Sequence, residues 1–446
     1  MMLLEYFTDP VLRAPTIGCM LMCFAAGIVG VIVFLRKESL LGEALSHSTY
    51  PGVIFGVVAI ASLPLMEIGE GLLSFGILFG AFVTAFLGLA LIRLLKRHLR
   101  VPSDSALCFV LSVFFGVGLT LASRVQFTHT LLYQQIQGYL YGQAATMTDT
   151  YIYIYAGLSL AVFILIALTY KEIQVMTLDR TYAKSLGIQV RLIDFCVVTM
   201  IVLAVVIGIR SVGVVLISAM LIAPPAAARQ FTNHLLGMFI LSGFFGLISG
   251  FFGNVLSVEL SYLLAGSKGT LSLPTGPMIV LVASTLCLLA LLFAPERGLI
   301  VRMGRIYSYR YRRLCENILK GLWYYPEGEK VPLSTIKKNL NFSAFYLKIA
   351  CNRLMRSGWV LATNEGYALT DDGRHRAAHI VRLHRLWEVY LVDYLGIGAE
   401  RVHCEAEEME HIITPTLEKE LTELLKDPKR DPHQQLIPPK REVSGY

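Results

Sequence analysis

The chain has 446 residues, 55% of them hydrophobic and only 16% charged. That balance excludes an ordinary soluble globular protein and points to a polytopic membrane protein. The net charge of +7 is modest and is what basic residues flanking membrane helices supply, so charge alone selects no nucleic-acid partner; the eight cysteines stand singly, with no CxxC pair and no disulfide framework.

At the start, "MMLLEYFTDPVLRAP" has an acidic residue ahead of the first apolar run and no small-residue cleavage pattern, so that run is read as a retained span. A bilayer helix needs about 20 apolar residues. Such runs lie at roughly residues 16–35, 50–65, 72–92, 105–123, 151–170, 193–209, 211–228, 235–255 and 276–294, which predicts an all-α polytopic domain of eight or nine transmembrane helices over residues 1–295. The second and seventh runs are short enough to be re-entrant or broken. Arg36, Lys37, Arg93, Lys96, Arg97, Arg100, Lys171, Arg180, Lys184, Arg191 and Arg229 alternate along the chain with a sparser set, Arg13, Arg124, Arg210 and Lys268. The richer set marks the cytoplasm, and an odd number of spans then puts the N-terminus outside and the remainder of the chain inside.

Polar residues are scarce in this half, which singles out "LLGEALSHSTYPG" at residues 40–52. Glu43 and His47 are four apart and share a helical face; at membrane depth such groups are costly unless they meet a cavity or a partner, and a divalent cation would suit them. A solvated pair in a cytoplasmic loop is the other reading. In "IAPPAAAR", Pro224 and Pro225 are expected to break a helix rich in small residues and let another approach closely, or simply to end it before Arg229.

The segments "RKESLLGEALSHSTYPGVIFG" (36–56), "SDSALCFVLSVFFGVGL" (103–119), "LDRTYAKSLGI" (178–188) and "VGVVLISAMLIAPPAAAR" (212–229) resemble the successive signatures of the ABC-type metal permease family, which imports zinc, manganese or iron. The resemblance covers nearly all of residues 10–295. It implies that Glu43 and His47 lie on the cation route. It also implies that Asp179, Arg180, Ala183, Lys184 and Gly187 belong to a short coupling helix docking in an ATPase, against the plainer reading of a solvated connector. No GxxxxGK[ST] phosphate loop is present, so ATP hydrolysis falls to a separate subunit and no covalent chemistry is assigned to this chain. A second permease subunit and an extracytoplasmic metal-binding protein complete the implied assembly, in the inner membrane of a bacterium.

After Pro295 the composition becomes that of a soluble domain, holding six of the ten histidines. Residues 296–313 form a basic linker, whose Arg297, Arg302, Arg305, Arg310, Arg312 and Arg313 can lie against anionic headgroups and which is open to proteolysis. Residues 314–376 follow as a predicted winged helix-turn-helix. Over residues 332–370 two helices and a hairpin are expected, with Leu347, Ala350 and Leu354 buried at spacings of three and four and the hairpin turning at Asn364-Glu365-Gly366. Ser343, Tyr346, Lys348, Asn352, Arg353 and Arg356 are then left to face DNA, although winged helices also serve as plain protein-contact modules.

Residues 377–446 read as a helical metal-binding and dimerisation domain. His384 and Glu388 are four apart, and Glu407, Glu410 and His411 share a face if one helix carries them, with His403 just upstream. A divalent cation would gather these groups; a solvated acidic face is the alternative. The order winged helix, "HRLWE", "RVHCEAEEMEHI" and "LLKDPKRDPHQQLIPP" resembles the diphtheria-toxin-repressor family of iron- and manganese-dependent repressors over about residues 314–439. That resemblance implies ligand roles for His384, Glu388, His403, Glu407, Glu410 and His411. Glu407, three residues from Cys404, leans toward the manganese-type site, since iron-type members carry cysteine at its position. The Met or Asp that the family's first helix contributes falls at Asn317, between Glu316 and Ile318 and close to Cys315, and the additional barrel domain of longer members is not expected.

The expectation is a permease subunit importing Mn²⁺, Fe²⁺ or Zn²⁺. Its tail would be a metal-dependent repressor using Mn²⁺ or Fe²⁺, with Zn²⁺ also admitted, that binds operator DNA as a dimer after release by cleavage within 296–315. The alternative is a metal-sensing gate on transport that never touches DNA.

Overall fold

The computed structural model describes residues 4–61, 70–128, 130–265, 273–340, 342–398 and 400–440. Lys268 of the sparse basic set and the end of the second apolar run lie outside them, as does the side chain of Cys404. The chain forms two units, residues 1–301 and 302–446.

Among the described residues of the first unit every regular element is a helix. After a single turn, α1 (Glu5–Thr8), come α2 (Pro10–Leu35), α3 (Ser39–Ala61), α4 (Glu70–Arg97), α5 (Ser103–Thr128), α6 (Thr130–Tyr141), α7 (Asp149–Leu178), α8 (Arg180–Ser185), α9 (Val190–Ser211), α10 (Ile217–Phe231), α11 (Leu235–Ala265) and α12 (Thr275–Phe293). Among the described residues seven of these, α2, α4, α5, α7, α9, α11 and α12, are long and apolar enough to cross a membrane. The two short apolar runs correspond to α3 and to α10, which is only 15 residues long. With no hydrophobic effect to drive helices together inside lipid, close packing must do it, and small residues permit it. On α3 and α4, Gly52 and Gly56 face Gly76 and Gly80 so closely that a Cβ on either helix would strike the other's backbone.

The prolines of α10 do not end it. Pro224 and Pro225 are buried inside the helix, which runs on to Phe231. Lacking an N–H, Pro225 leaves the Leu221 carbonyl one turn earlier without its helical donor. Gly30 of α2 sits against that carbonyl, where a Cβ would collide with it. The proline therefore loosens a hydrogen bond, and the facing glycine turns the gap into a close helix crossing.

Helix α13 (Leu299–Trp323), all but its first three residues in the second unit, takes in most of the stretch expected to be a linker. Its later turns bury Leu314, Ile318 and Leu322 in a core with Leu347, Ala350, Cys351, Leu354 and Val360. Then come α14 (Leu333–Leu340), α15 (Ala344–Arg356) and a hairpin of β1 (Val360–Thr363) and β2 (Gly366–Leu369), registered Val360 to Leu369 and Thr363 to Gly366. That is the helix, turn, helix and wing order of the sequence reading. The remainder is α16 (Asp371–Asp393), α17 (Val402–Met409) and α18 (Pro415–Leu424). The segment after α18 folds back on α16 because two buried arginines hold it: Arg382 donates to the Pro438 carbonyl at 2.9 Å and to Asp427 at 3.2 Å, while Arg385 meets Gln435, the Leu436 carbonyl and Asp431.

Candidate metal centre

Thr370 caps α16, its hydroxyl accepting from the Gly373 amide at 3.0 Å, and Asp371 and Asp372 suit the positive end of the helix. Fourteen residues into the cap-fixed register, His384 and Glu388 point one turn apart into the unit, each only 2% exposed. A buried imidazole and carboxylate need partners. His403, from the first turn of α17, supplies one: its Nδ1 lies 3.0 Å from Glu388 Oε1 and 3.1 Å from His384 Nε2, and His384 Nε2 lies 3.1 Å from the same carboxylate oxygen. The three side chains offer two nitrogens and an oxygen within 4.8 Å of one another. His403 remains open to solvent on its outer side, so the cluster has an entrance.

The donor chemistry and spacing fit a first-row divalent cation, which would replace the contacts these groups now make with one another. Among the described side chains no sulfur joins these donors. Cys315 is packed in the apolar core, and burial pushes its thiol up to about 11, which keeps it protonated and a poor ligand. Of the residues around the expected first-helix ligand, Asn317 lines the cavity beside the cluster, and its Oδ1 is buried without a hydrogen-bond partner.

The remaining three expected ligands do not share one helical face, because α17 ends at Met409; Glu410 caps it and His411 follows in a turn. Glu410 is nonetheless brought in, its Oε2 lying 2.5 Å from His384 Nδ1 and 2.7 Å from Lys320 Nζ. His411 Nδ1 lies 2.7 Å from Glu316 Oε2, and its Nε2 is 3.6 Å from Glu410 Oε1; both of those last atoms are buried without a hydrogen bond. Glu407 is exposed and lines the cavity with His403. Lys320 was invisible in the sequence pattern, since no local spacing relates it to a glutamate 90 positions away.

Electrostatics follow the contacts. Burial alone would raise the Glu388 carboxyl, but hydrogen bonds with His384 and His403 outweigh it and hold the group at about 2. Burial would likewise lower His384, yet its contacts to Glu388 and Glu410 leave it raised. Glu410 is lowered against its own burial by His384 and Lys320.

On α15 and at its N-cap, the six residues expected to meet DNA, Ser343, Tyr346, Lys348, Asn352, Arg353 and Arg356, are all exposed, while Leu347, Ala350 and Leu354 are buried. Arg353 is not wholly free, for its guanidinium stacks over the Tyr311 ring at 5.3 Å.

In the first unit Glu43 and His47 stand one turn apart on α3, Glu43 half-buried and His47 buried. The His47 ring packs edge-on against Phe115 at 4.6 Å, and its Nδ1 is buried with no hydrogen bond. Ser46, Ser48 and Thr49 beside it are also buried, each donating to a backbone carbonyl of its own helix. The expected coupling segment is shorter than the basic stretch around it, since α7 continues to Leu178 and only α8 is a separate helix. Asp179 caps α8 by accepting from Thr181 at 2.6 Å, Ala183 is buried, Arg180 and Lys184 are exposed, and Gly187 adopts φ +80° to end the turn. Asp194 of α9, unnoticed in the sequence, accepts from Arg36 at 2.9 Å and Arg180 at 3.4 Å.

Residues 8–294 match the ABC 3 transport family, and residues 370–439 match the iron dependent repressor metal binding and dimerisation domain. A probable metal transport system membrane protein of Chlamydia trachomatis is 37% identical over 97% of each chain. The manganese transport system membrane protein MntC of Bacillus subtilis is 35% identical, covering 85% of this chain and 84% of that one. Among solved structures, PsaBC from Streptococcus pneumoniae in complex with Fab matches with TM-score 0.54 at 27% identity, over 66% of this chain and 96% of the other.

Proposed function

The chain belongs to the ABC 3 transport family and carries an iron-dependent-repressor metal-binding and dimerisation domain behind its multi-pass membrane part; from that premise we propose that it imports a divalent metal and senses the same metal with its tail. The observation that carries the sensing half is the cluster His384, Glu388 and His403, three convergent donors on a domain of that family. The imidazole and carboxylate donors of these three residues suit Mn²⁺, with Fe²⁺ and Zn²⁺ as competitors that supply rather than affinity would exclude.

In this reading Glu43 and His47 line the cation route, and α8 meets a cytoplasmic ATPase through Arg180 and Lys184. A second permease subunit and an extracytoplasmic binding protein complete the importer. The tail lies in the cytoplasm, as the basic loops imply. His384, Glu388 and His403 would hold the ion, whose charge would draw α16 and α17 together. The exposed face of α15 then meets operator DNA, Lys348 and Arg356 on phosphates and Asn352 toward the bases. If the tail is released, cutting is favoured at residues 295–298, which are non-helical, over the helix that begins at Leu299.

A manganese-starved strain carrying the transporter genes and a reporter behind their promoter tests both halves. Glu43→Ala with His47→Ala should abolish Mn²⁺ uptake. His384→Ala with His403→Ala should leave uptake intact and make the reporter insensitive to Mn²⁺. Reporter expression that ignores metal in the unmodified strain, with uptake shutting off as metal accumulates, would replace the repressor by a transport gate.

A further inference from the structure

Lys320 is the one cation placed inside the ligand cluster among the described residues. Its side chain is 10% exposed and that of Glu410 wholly buried, with 2.7 Å between Nζ and Oε2. The same ammonium lies 3.2 Å from His384 Nδ1. A lysine rarely enters such a site, since burying an ammonium is costly unless a carboxylate and further acceptors meet it. Here it takes up the two atoms, a carboxylate oxygen and an imidazole nitrogen, that a second metal ion beside the first would use.

The opposite edge of the cluster supports this division. His384 turns Nε2 toward Glu388 and His403 and Nδ1 toward Lys320 and Glu410, so one ring separates two cation positions. A divalent ion at the orphaned pair Glu410 Oε1 and His411 Nε2 would share its carboxylate with the fixed ammonium, and like charges at that range oppose each other.

Resting on the reading of this cluster as a metal centre, we propose that Lys320 is a tethered cation filling the second position, so that the tail takes a single divalent ion, between His384, Glu388 and His403. The second half of the cluster is thereby held in its charged arrangement with or without metal.

The test counts Mn²⁺ bound to the full-length protein in detergent, stripped of metal and dialysed against MnCl₂. His384→Ala with His403→Ala should bind one equivalent fewer than the unmodified chain, and Lys320→Met one equivalent more. Frozen-solution electron paramagnetic resonance of Lys320→Met should show the broadened signal of two neighbouring Mn²⁺ ions, which a merely structural lysine would not produce when removed. An unchanged count in Lys320→Met overturns the proposal. Should that variant fail to fold, the unmodified chain decides: losing two equivalents on changing His384, His403, Glu410 and His411 together would overturn it too. No loss with His384→Ala and His403→Ala would instead sink the metal centre itself, a separate outcome.

Discussion

His411 Nδ1 lies 2.7 Å from Glu316 Oε2, a carboxylate reaching from α13 to a histidine beyond the end of α17. Such a contact fixes the tautomer and leaves Nε2 as the free nitrogen of the ring. It also ties the end of the metal-binding segment to the helix on which the core of the winged helix is built. Glu316→Ala should therefore loosen α17 against α13 and destabilise the tail by about 1–3 kcal/mol, the cost of leaving the buried His411 ring without its partner, which raises the Mn²⁺ needed for a response. Titrating Mn²⁺ against the reporter or against DNA binding would show the shift, and Glu316→Asp should recover part of it.

The pH dependence of the metal-free tail has a definite sign. Glu388 sits at about 2 against an ordinary 4.5, so its contribution to stability is complete above 4.5 and is lost as pH falls from there toward 2. His384 is raised above its ordinary 6.5, so its contribution is complete below 6.5 and disappears as pH climbs through the raised value. Thermal unfolding in chelator should therefore be most resistant between about pH 4.5 and 6.5 for this pair. Adding Mn²⁺ should move the optimum upward, because binding displaces the imidazole proton.

Asp194 should matter to transport although it is remote from Glu43 and His47 in sequence. By accepting from Arg36 and Arg180 it links the end of α2, the start of α8 and the second turn of α9. Asp194→Ala is expected to lower metal-stimulated ATPase activity and uptake several-fold without lowering the amount of protein in the membrane. Wild-type coupling in that variant would detach α8 from the energy-transfer role.

Replacing Gly52 or Gly80 with leucine should prevent α3 and α4 from closing, since even a Cβ there meets the opposing backbone. The cost follows from overpacking, at least about 1–3 kcal/mol. Protein of either variant should be recovered at lower levels and lose Mn²⁺ uptake, while Gly116→Ala on α5, where a Cβ meets nothing, should behave as the parent.

Much of this was legible in the sequence where the physics is local. Apolar runs gave the membrane helices, and the four-residue spacing of His384 and Glu388 gave the heart of the cluster, because a helix converts spacing directly into direction. The buried stripe Leu347, Ala350 and Leu354 followed for the same reason. What stayed hidden is non-local. Nothing adjacent to Lys320 marks it as the partner of Glu410, and nothing near Asp194 marks it as the acceptor for Arg36. The arginines of residues 297–313 read as a linker because charge masked the apolar positions that continue as Leu314, Ile318 and Leu322 in α13. Pro224 and Pro225 read as a break because the compensating approach of Gly30 lies on another helix.

The most direct measurement of the central claim, that metal reaching the tail controls DNA, is fluorescence anisotropy of promoter DNA from upstream of this gene. The full-length protein in detergent would be titrated onto it with chelator and then with Mn²⁺. Mn²⁺-dependent binding that weakens steeply with salt, disappears in His384→Ala with His403→Ala, and has its salt slope reduced by about one in Arg356→Ala is the predicted result. Binding that is identical in chelator and in Mn²⁺, or absent at low salt under both conditions, would contradict it.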